Sequence, residues 1–222
     1  MSTDIETVMR TAPVIPVLVI DDLAHAEPIA RALVAGGLRV LEVTLRTPCA
    51  LDAIRAMRNV AGAIVGAGTV TNPHELAAAL DAGSEFIVSP GLTERLGHAA
   101  REAGVPFLPG TANAGDIMRG LDLGLTHFKF FPAMASGGLP ALKALAAPFY
   151  SCKFCPTGGI SEATAPDWLA FDPVLCVGGS WVVPKGPPDG AAIEAAARAA
   201  VGVGVNGLLF KSSSPLRRQG PR

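Results

Sequence analysis

Short runs of β-branched and other apolar residues recur along the chain, each followed by an alanine-rich stretch whose apolar positions repeat at helical spacing. Eight such runs, at 14–20, 39–45, 63–69, 85–90, 105–109, 127–132, 152–156 and 174–178, read as strands. The intervening segments read as helices, among them 24–35, 72–82 opened by Asn72-Pro73, 93–103 capped by Thr93, and 193–201. Gly36-Gly37, Gly83, Gly104 and Gly124 stand where helices should end, and residues 4–11 predict a short helix before the first strand. Strands alternating with helices imply a parallel sheet. Eight units in one chain predict an α/β fold of the (β/α)8 TIM barrel type, with an open Rossmann-like sheet as the alternative. That alternative needs G-x-G-x-x-G after the first strand, whereas Gly66-Ala67-Gly68-Thr69-Val70-Thr71 follows the third and lacks the last glycine.

A chain of 222 residues suits one barrel domain, expected over 1–205. Residues 206–222 end in the polar, basic run Lys211-Ser212-Ser213-Ser214-Pro215-Leu216-Arg217-Arg218-Gln219-Gly220-Pro221-Arg222 and are expected to form a disordered tail. Only 17% of residues are charged and the net charge is −1, so neither nucleic acid nor an anionic membrane is an expected partner. The longest apolar runs are too short to span a bilayer, and the first residues lack the basic and apolar regions of a signal peptide. A cytoplasmic protein with a small-molecule ligand is expected. Cys152 and Cys155 form a C-x-x-C, but residues three apart on a strand point to opposite faces and cannot share a metal. Buried free thiols, and no metal site, are the expectation.

Period-two alternation sorts the strand side chains. In the second strand Leu41, Val43 and Leu45 alternate with Glu42, Thr44 and Arg46. The apolar set must face the helices, so Glu42 and Arg46 point into the barrel. Lys129 lies between Phe128 and Phe130 and points inward by the same logic. Burial there disfavours its charged form, and a neutral buried amine is a nucleophile toward carbonyls. A buried Lys129–Glu42 ion pair with a purely structural role is the competing reading. Arg46 stands at the C-terminal end of its strand, where barrels carry their chemistry, and suits an anionic substrate group. Thr157-Gly158-Gly159-Ile160-Ser161 and Gly178-Gly179-Ser180 follow strands seven and eight, the customary phosphate position of this fold.

At these residues the sequence resembles the 2-keto-3-deoxy-6-phosphogluconate aldolase family, which also acts on 4-hydroxy-2-oxoglutarate. The resemblance is carried by Gly36-Gly37-Leu38-Arg39-Val40-Leu41-Glu42-Val43-Thr44-Leu45-Arg46-Thr47, Val65-Gly66-Ala67-Gly68-Thr69-Val70, Ser89-Pro90-Gly91-Leu92-Thr93, Phe128-Lys129-Phe130-Phe131-Pro132, Phe154-Cys155-Pro156-Thr157-Gly158-Gly159-Ile160-Ser161 and Val177-Gly178-Gly179-Ser180-Trp181. It implies a class I aldolase, needing no cofactor or metal, that cleaves a phosphorylated 2-keto acid to pyruvate and glyceraldehyde 3-phosphate, usually as a homotrimer. By that match Lys129 is the Schiff-base lysine and Glu42 the proton shuttle. Arg46 and Thr69 hold the carboxylate, Pro90 and Phe131 line the pyruvyl pocket, and Gly158, Gly159, Gly179 and Ser180 bind phosphate with Thr157 beside the substrate chain. The run Gly110-Thr111-Ala112-Asn113-Ala114-Gly115 and the basic tail depart from the family pattern. A phosphosugar isomerase or epimerase on the same barrel, and a non-catalytic phosphate-binding barrel, are the rival functions.

Overall fold

The strands are parallel throughout and close on themselves. In the computed structural model, which describes residues 4–212 and side chains as far as Val203, β1 (Val14–Leu18), β2 (Val40–Thr44), β3 (Ile64–Gly68), β4 (Ile87–Val88) and β5 (Phe107–Leu108) pair in chain order, with β9 (Val177–Gly179) on the other side of β1. β6 (Gly110–Thr111), β7 (His127–Phe130) and β8 (Lys153–Pro156) form a second piece. The two pieces make one cylinder. β5 and β6 are halves of one barrel strand interrupted at Pro109, which has no N–H to give to a ladder. On the other side, bridges between Phe154 and Val174 and between Thr157 and Gly178 join β8 to β9. The result is the (β/α)8 barrel expected from the alternation.

The fifth barrel strand runs further than the sequence suggested. Gly110 and Thr111, read as the start of a divergent loop, pair with Lys129 and Phe130. A Cβ on Gly110 would lie 2.1 Å from the Pro90 carbonyl oxygen, so the turn after β4 can cross this strand only where there is no side chain.

The outer layer comprises α2 (Ala26–Ala35), α3 (Ala50–Met57), α4 (Pro73–Asp81), α5 (Glu94–Glu102), α6 (Ala114–Asp122), α7 (Gly138–Ala146), α8 (Ala165–Leu169) and α9 (Gly190–Ser212). Four of these helices start at side-chain caps: Asn72 accepts from the Glu75 N–H, Thr93 from Leu96, Asn113 from Asp116, and Asp189 from Ala191 and Ala192, contacts worth about 1 kcal/mol each. α9 is longer than the helix expected over 193–201. Its helix does not give way near residue 205 but continues to Ser212. Glycines at 202, 204 and 207 weaken a helix by roughly 1 kcal/mol each without forbidding it, and the first proline downstream is Pro215. The rest of the tail lies outside the described residues.

Alternation along the strands creates two separate cores. Leu41, Val43, Phe128 and Phe130 pack outward against the helices. Ile15, Val40, Phe86, Val88, Leu108, Cys155 and Cys176 fill the barrel interior, closed from below by Val8 and Met9 of α1 (Ile5–Arg10). Cys152 belongs to the outer core and Cys155 to the inner one, so the C-x-x-C is split between two faces. All four cysteines are free thiols. No described helix is long and apolar enough to cross a membrane.

Candidate active site

Above this apolar floor the barrel interior turns polar. Glu42 sits mid-strand in β2, in register with Val17 of β1 and Gly66 of β3. Lys129 sits in β7, in register with Gly110 and Cys155. The two side chains cross the barrel and meet, Lys129 Nζ donating to Glu42 Oε1 at 3.0 Å, with only 5% and 3% of the residues exposed. The Phe131 ring, two residues on and on the same face, lies 5.3 Å from Nζ, within range for a cation–π contact.

Glycines on the neighbouring strands make room for this pair. A Cβ on Gly68 would stand 2.3 Å from Glu42 Oε1, and one on Gly66 would stand 2.6 Å from the Phe86 ring. The G-x-G of β3 is therefore a space requirement of the barrel interior: Gly68 leaves room for the Glu42 carboxylate and Gly66 for the Phe86 ring. Gly178 serves Thr157 in the same way, since a Cβ there would lie 2.2 Å from Thr157 Oγ1. Gly68→Ala is expected to leave the fold intact but push Glu42 off Lys129, lowering kcat on the order of 10²-fold, the scale of an ångström-size misplacement. Steady-state kinetics beside a thermal melt checks this, and an unchanged kcat would count against Glu42 as a reacting group.

The pair forms the inner wall of a cavity of about 250 Å³ at the C-terminal end of the barrel. All the residues singled out from the sequence line it: Glu42, Arg46, Thr69, Pro90, Lys129, Phe131, Thr157, Gly158, Gly159, Gly179 and Ser180. Val17, Thr44, Ile160 and Gly178 line it too; of these, Ile160 and Gly178 belong to the loops expected to face phosphate, while Val17 and Thr44 had been given no role. Thr44 was visible in the inward-facing set; Val17 carries no chemical signal of its own. The mouth adjoins a wider cleft of about 670 Å³ that shares Val17, Arg46 and Ser180.

Two sides of the cavity differ in character. On one side Arg46 is exposed at the rim, and among the described residues no carboxylate stands within ion-pairing distance of it. Thr69, just past β3, has φ 61, a left-handed conformation that costs a β-branched residue about 1–3 kcal/mol and tends to be kept where a site requires it. Pro90 is held in place by Ser89, whose fully buried hydroxyl donates to the Gly91 carbonyl at 2.6 Å. On the other side Gly158 and Gly159 have φ 105 and 76, and with Gly179 they leave peptide groups as the lining. Among the described residues this wall carries no basic side chain within the cavity. It suits an anion held by backbone N–H groups.

Below the pair, the Cys176 thiol shares a hydrogen bond with Cys155 and is completely buried, and both effects, with Glu42 nearby, hold it well above the usual thiol range. It stays protonated and does not compete with Lys129 as a nucleophile.

The closed barrel and the buried amine–carboxylate pair opening on an anion-ready mouth define a (β/α)8-barrel enzyme that can work on carbonyl compounds. A family model described as "Aldolase: KDPG and KHG aldolase" matches residues 5–196. The chain belongs to this aldolase family, whose members are lyases. It is 62% identical over 197 residues, 89% of this chain and 95% of the other, to the 2-dehydro-3-deoxy-phosphogluconate aldolase of Zymomonas mobilis. The crystal structure of the Zymomonas mobilis ZM4 enzyme with 3-phosphoglycerate superimposes with a TM-score of 0.89, over 90% of this chain and 96% of that one, at 61% identity. The aldolase of Legionella pneumophila, with pyruvate captured at low pH as a covalent carbinolamine, matches with a TM-score of 0.88 at 43% identity, over 90% and 100% of the two chains.

Proposed function

We propose that this chain is a class I aldolase that cleaves 2-dehydro-3-deoxy-6-phosphogluconate to pyruvate and glyceraldehyde 3-phosphate, with 4-hydroxy-2-oxoglutarate as a second substrate. The observation that carries the reading is the Lys129–Glu42 contact of 3.0 Å, buried in the barrel yet open to a cavity with Arg46 at its rim, which has no carboxylate partner among the described residues. A pair with a structural role alone would have no use for that opening.

The chemistry follows from the residue types. Lys129 passes a proton to Glu42 and its amine adds to the C2 carbonyl; the carbinolamine oxygen is protonated and leaves as water, giving a protonated imine. Glu42, or a water it holds, then takes the proton from the C4 hydroxyl. The C3–C4 bond breaks, its electrons flow into the imine, and the aldehyde departs. The enamine that remains takes a proton at C3, and water hydrolyses the imine to release pyruvate and restore Lys129. Arg46, with Thr69, holds the carboxylate next to C2, so the carbonyl carbon is presented to Nζ in one orientation. Phe131 and Pro90 flank the pyruvyl carbons. The phosphate lies against Gly158, Gly159, Gly179 and Ser180, with Thr157 beside the hydroxylated carbons.

The assembly that goes with this reading is a cytoplasmic homotrimer. The exposed Met118 of α6 and Met134 after β7 offer apolar surface to a partner copy.

The direct test is release of pyruvate from the two substrates. Charge-assisted hydrogen bonds to the phosphate, at about 1.5–3 kcal/mol each, should favour the phosphorylated substrate in kcat/KM by roughly 10–100-fold. Failure of the folded protein to release pyruvate from either would remove the reading.

A further inference from the structure

Thr44 has no part in the proposed chemistry, yet it lies on the inward face between Glu42 and Arg46 and is only 1% exposed. Its hydroxyl makes two contacts of opposite sense. Oγ1 donates to the carbonyl of Leu18, the last residue of β1, at 2.7 Å. It accepts from Nε of Arg46 at 3.1 Å. The hydroxyl has a single hydrogen, and the Leu18 carbonyl can only accept, so that hydrogen is committed to β1 and the lone pairs are left to face the guanidinium.

We propose that Thr44 is a positioning residue that sets which edge of Arg46 meets the substrate carboxylate. A guanidinium can clasp a carboxylate through its Nε–Nη edge or through its two terminal nitrogens. Holding Nε against Thr44 takes the first edge out of use and turns the pair of terminal nitrogens to the cavity. Arg46 is exposed and has no carboxylate partner among the described residues, so this contact is what restrains the distal part of a long side chain. The barrel itself supplies the anchor: Leu18 pairs with Val43, which puts its carbonyl beside Thr44. A bound carboxylate therefore meets an arginine already oriented, without the loss of side-chain freedom that binding to a mobile one would require.

The inference rests on Lys129 as the imine-forming group and Arg46 as the carboxylate clamp. The experiment separates its failure from theirs. Imine formation is followed by borohydride trapping on the full-length protein with two carbonyl compounds, pyruvate and acetone; the second has no carboxylate. Thr44→Val is expected to raise the half-saturating pyruvate concentration roughly tenfold through lost preorganisation, and to leave trapping of acetone unchanged. Thr44→Ser, which keeps the hydroxyl, should restore the wild-type value. Arg46→Ala should itself raise the pyruvate concentration needed, and adding Thr44→Val to it should change that value by less than about twofold, the sign of two residues acting through one contact.

If Arg46→Ala weakens pyruvate trapping while Thr44→Val does not, the positioning role is overturned and the clamp stands. If Thr44→Val impairs acetone and pyruvate alike, Thr44 acts on the Lys129–Glu42 pair and the proposal is again overturned. If Arg46→Ala leaves pyruvate trapping unchanged, the clamp and the positioning role fall together. Absence of any adduct on the wild-type protein overturns the imine reading and the proposal with it. Should Thr44→Val not fold, Thr44→Ala removes the same acceptor and is read by the same comparison.

Discussion

Lys129→Ala is expected to abolish aldol cleavage, lowering kcat on the order of 10⁴-fold or more, as loss of a covalent nucleophile does elsewhere. The wild-type protein incubated with pyruvate and borohydride should carry the reduced adduct on the peptide containing Lys129, and the variant should carry none. No other described residue of the cavity can take over the addition step. Among the described residues Lys129 is the one amine lining it, and the neighbouring Cys176 thiol is held protonated. The truncation also strands the Glu42 carboxylate in the barrel interior. Breaking a buried pair in this way costs about 3–5 kcal/mol unless the group left behind takes up a proton. Lys129→Met, of similar shape, is therefore the companion variant, with circular dichroism to show that the barrel is intact. Cleavage by a folded Lys129→Met enzyme would overturn the imine mechanism.

Glu42→Gln is expected to have the second largest effect. The amide has the size of the carboxylate and its oxygen can still accept from Lys129, but it cannot take and return protons. Loss of a positioned acid–base group should lower kcat by about 10²–10⁴-fold. Binding of pyruvate through Arg46 does not pass through Glu42, so the pyruvate concentration that half-saturates borohydride trapping should change little. The split between slow turnover and retained trapping distinguishes a proton shuttle from a structural partner. A kcat within a few-fold of wild type would assign Glu42 to the fold rather than to the reaction. A deficit confined to trapping would place its role in presenting the Lys129 amine.

Much of this site could be read from the sequence because a strand reports its own faces. Glu42 and Arg46 between Leu41, Val43 and Leu45, and Lys129 between Phe128 and Phe130, could only point into the barrel once the helices were assigned to the outside. What alternation cannot supply is register, which decides which residues meet across strands. The pairing of Thr44 with Gly68 and the reach of Glu42 over that glycine depend on it, and so does the contact of Thr44 with Leu18. The break at Pro109 and the extra pairing of Gly110 depend on a turn from another strand crossing above. The left-handed backbone of Thr69 is hidden for a different reason: sequence rules expect glycine, not a β-branched residue, at φ 61. The last helix, expected over 193–201, runs on to Ser212 because a continuous helix tolerates glycines at a modest cost.

The cavity is divided between two groups of strands. β2, β3 and β7, with the turn after β4, carry everything assigned to the pyruvyl half, while the loops after β8 and β9 carry everything assigned to the far end of the substrate. The second group is built largely from glycines and lies at the end of the barrel where loops can change length without disturbing strand pairing. Descendants of such a sequence are free to exchange one aldehyde partner for another while the electron-sink chemistry stays as it was. Substitutions that diversify substrate range should accumulate around 157–160 and 178–187, leaving the interior of β2 and β7 as the inherited part.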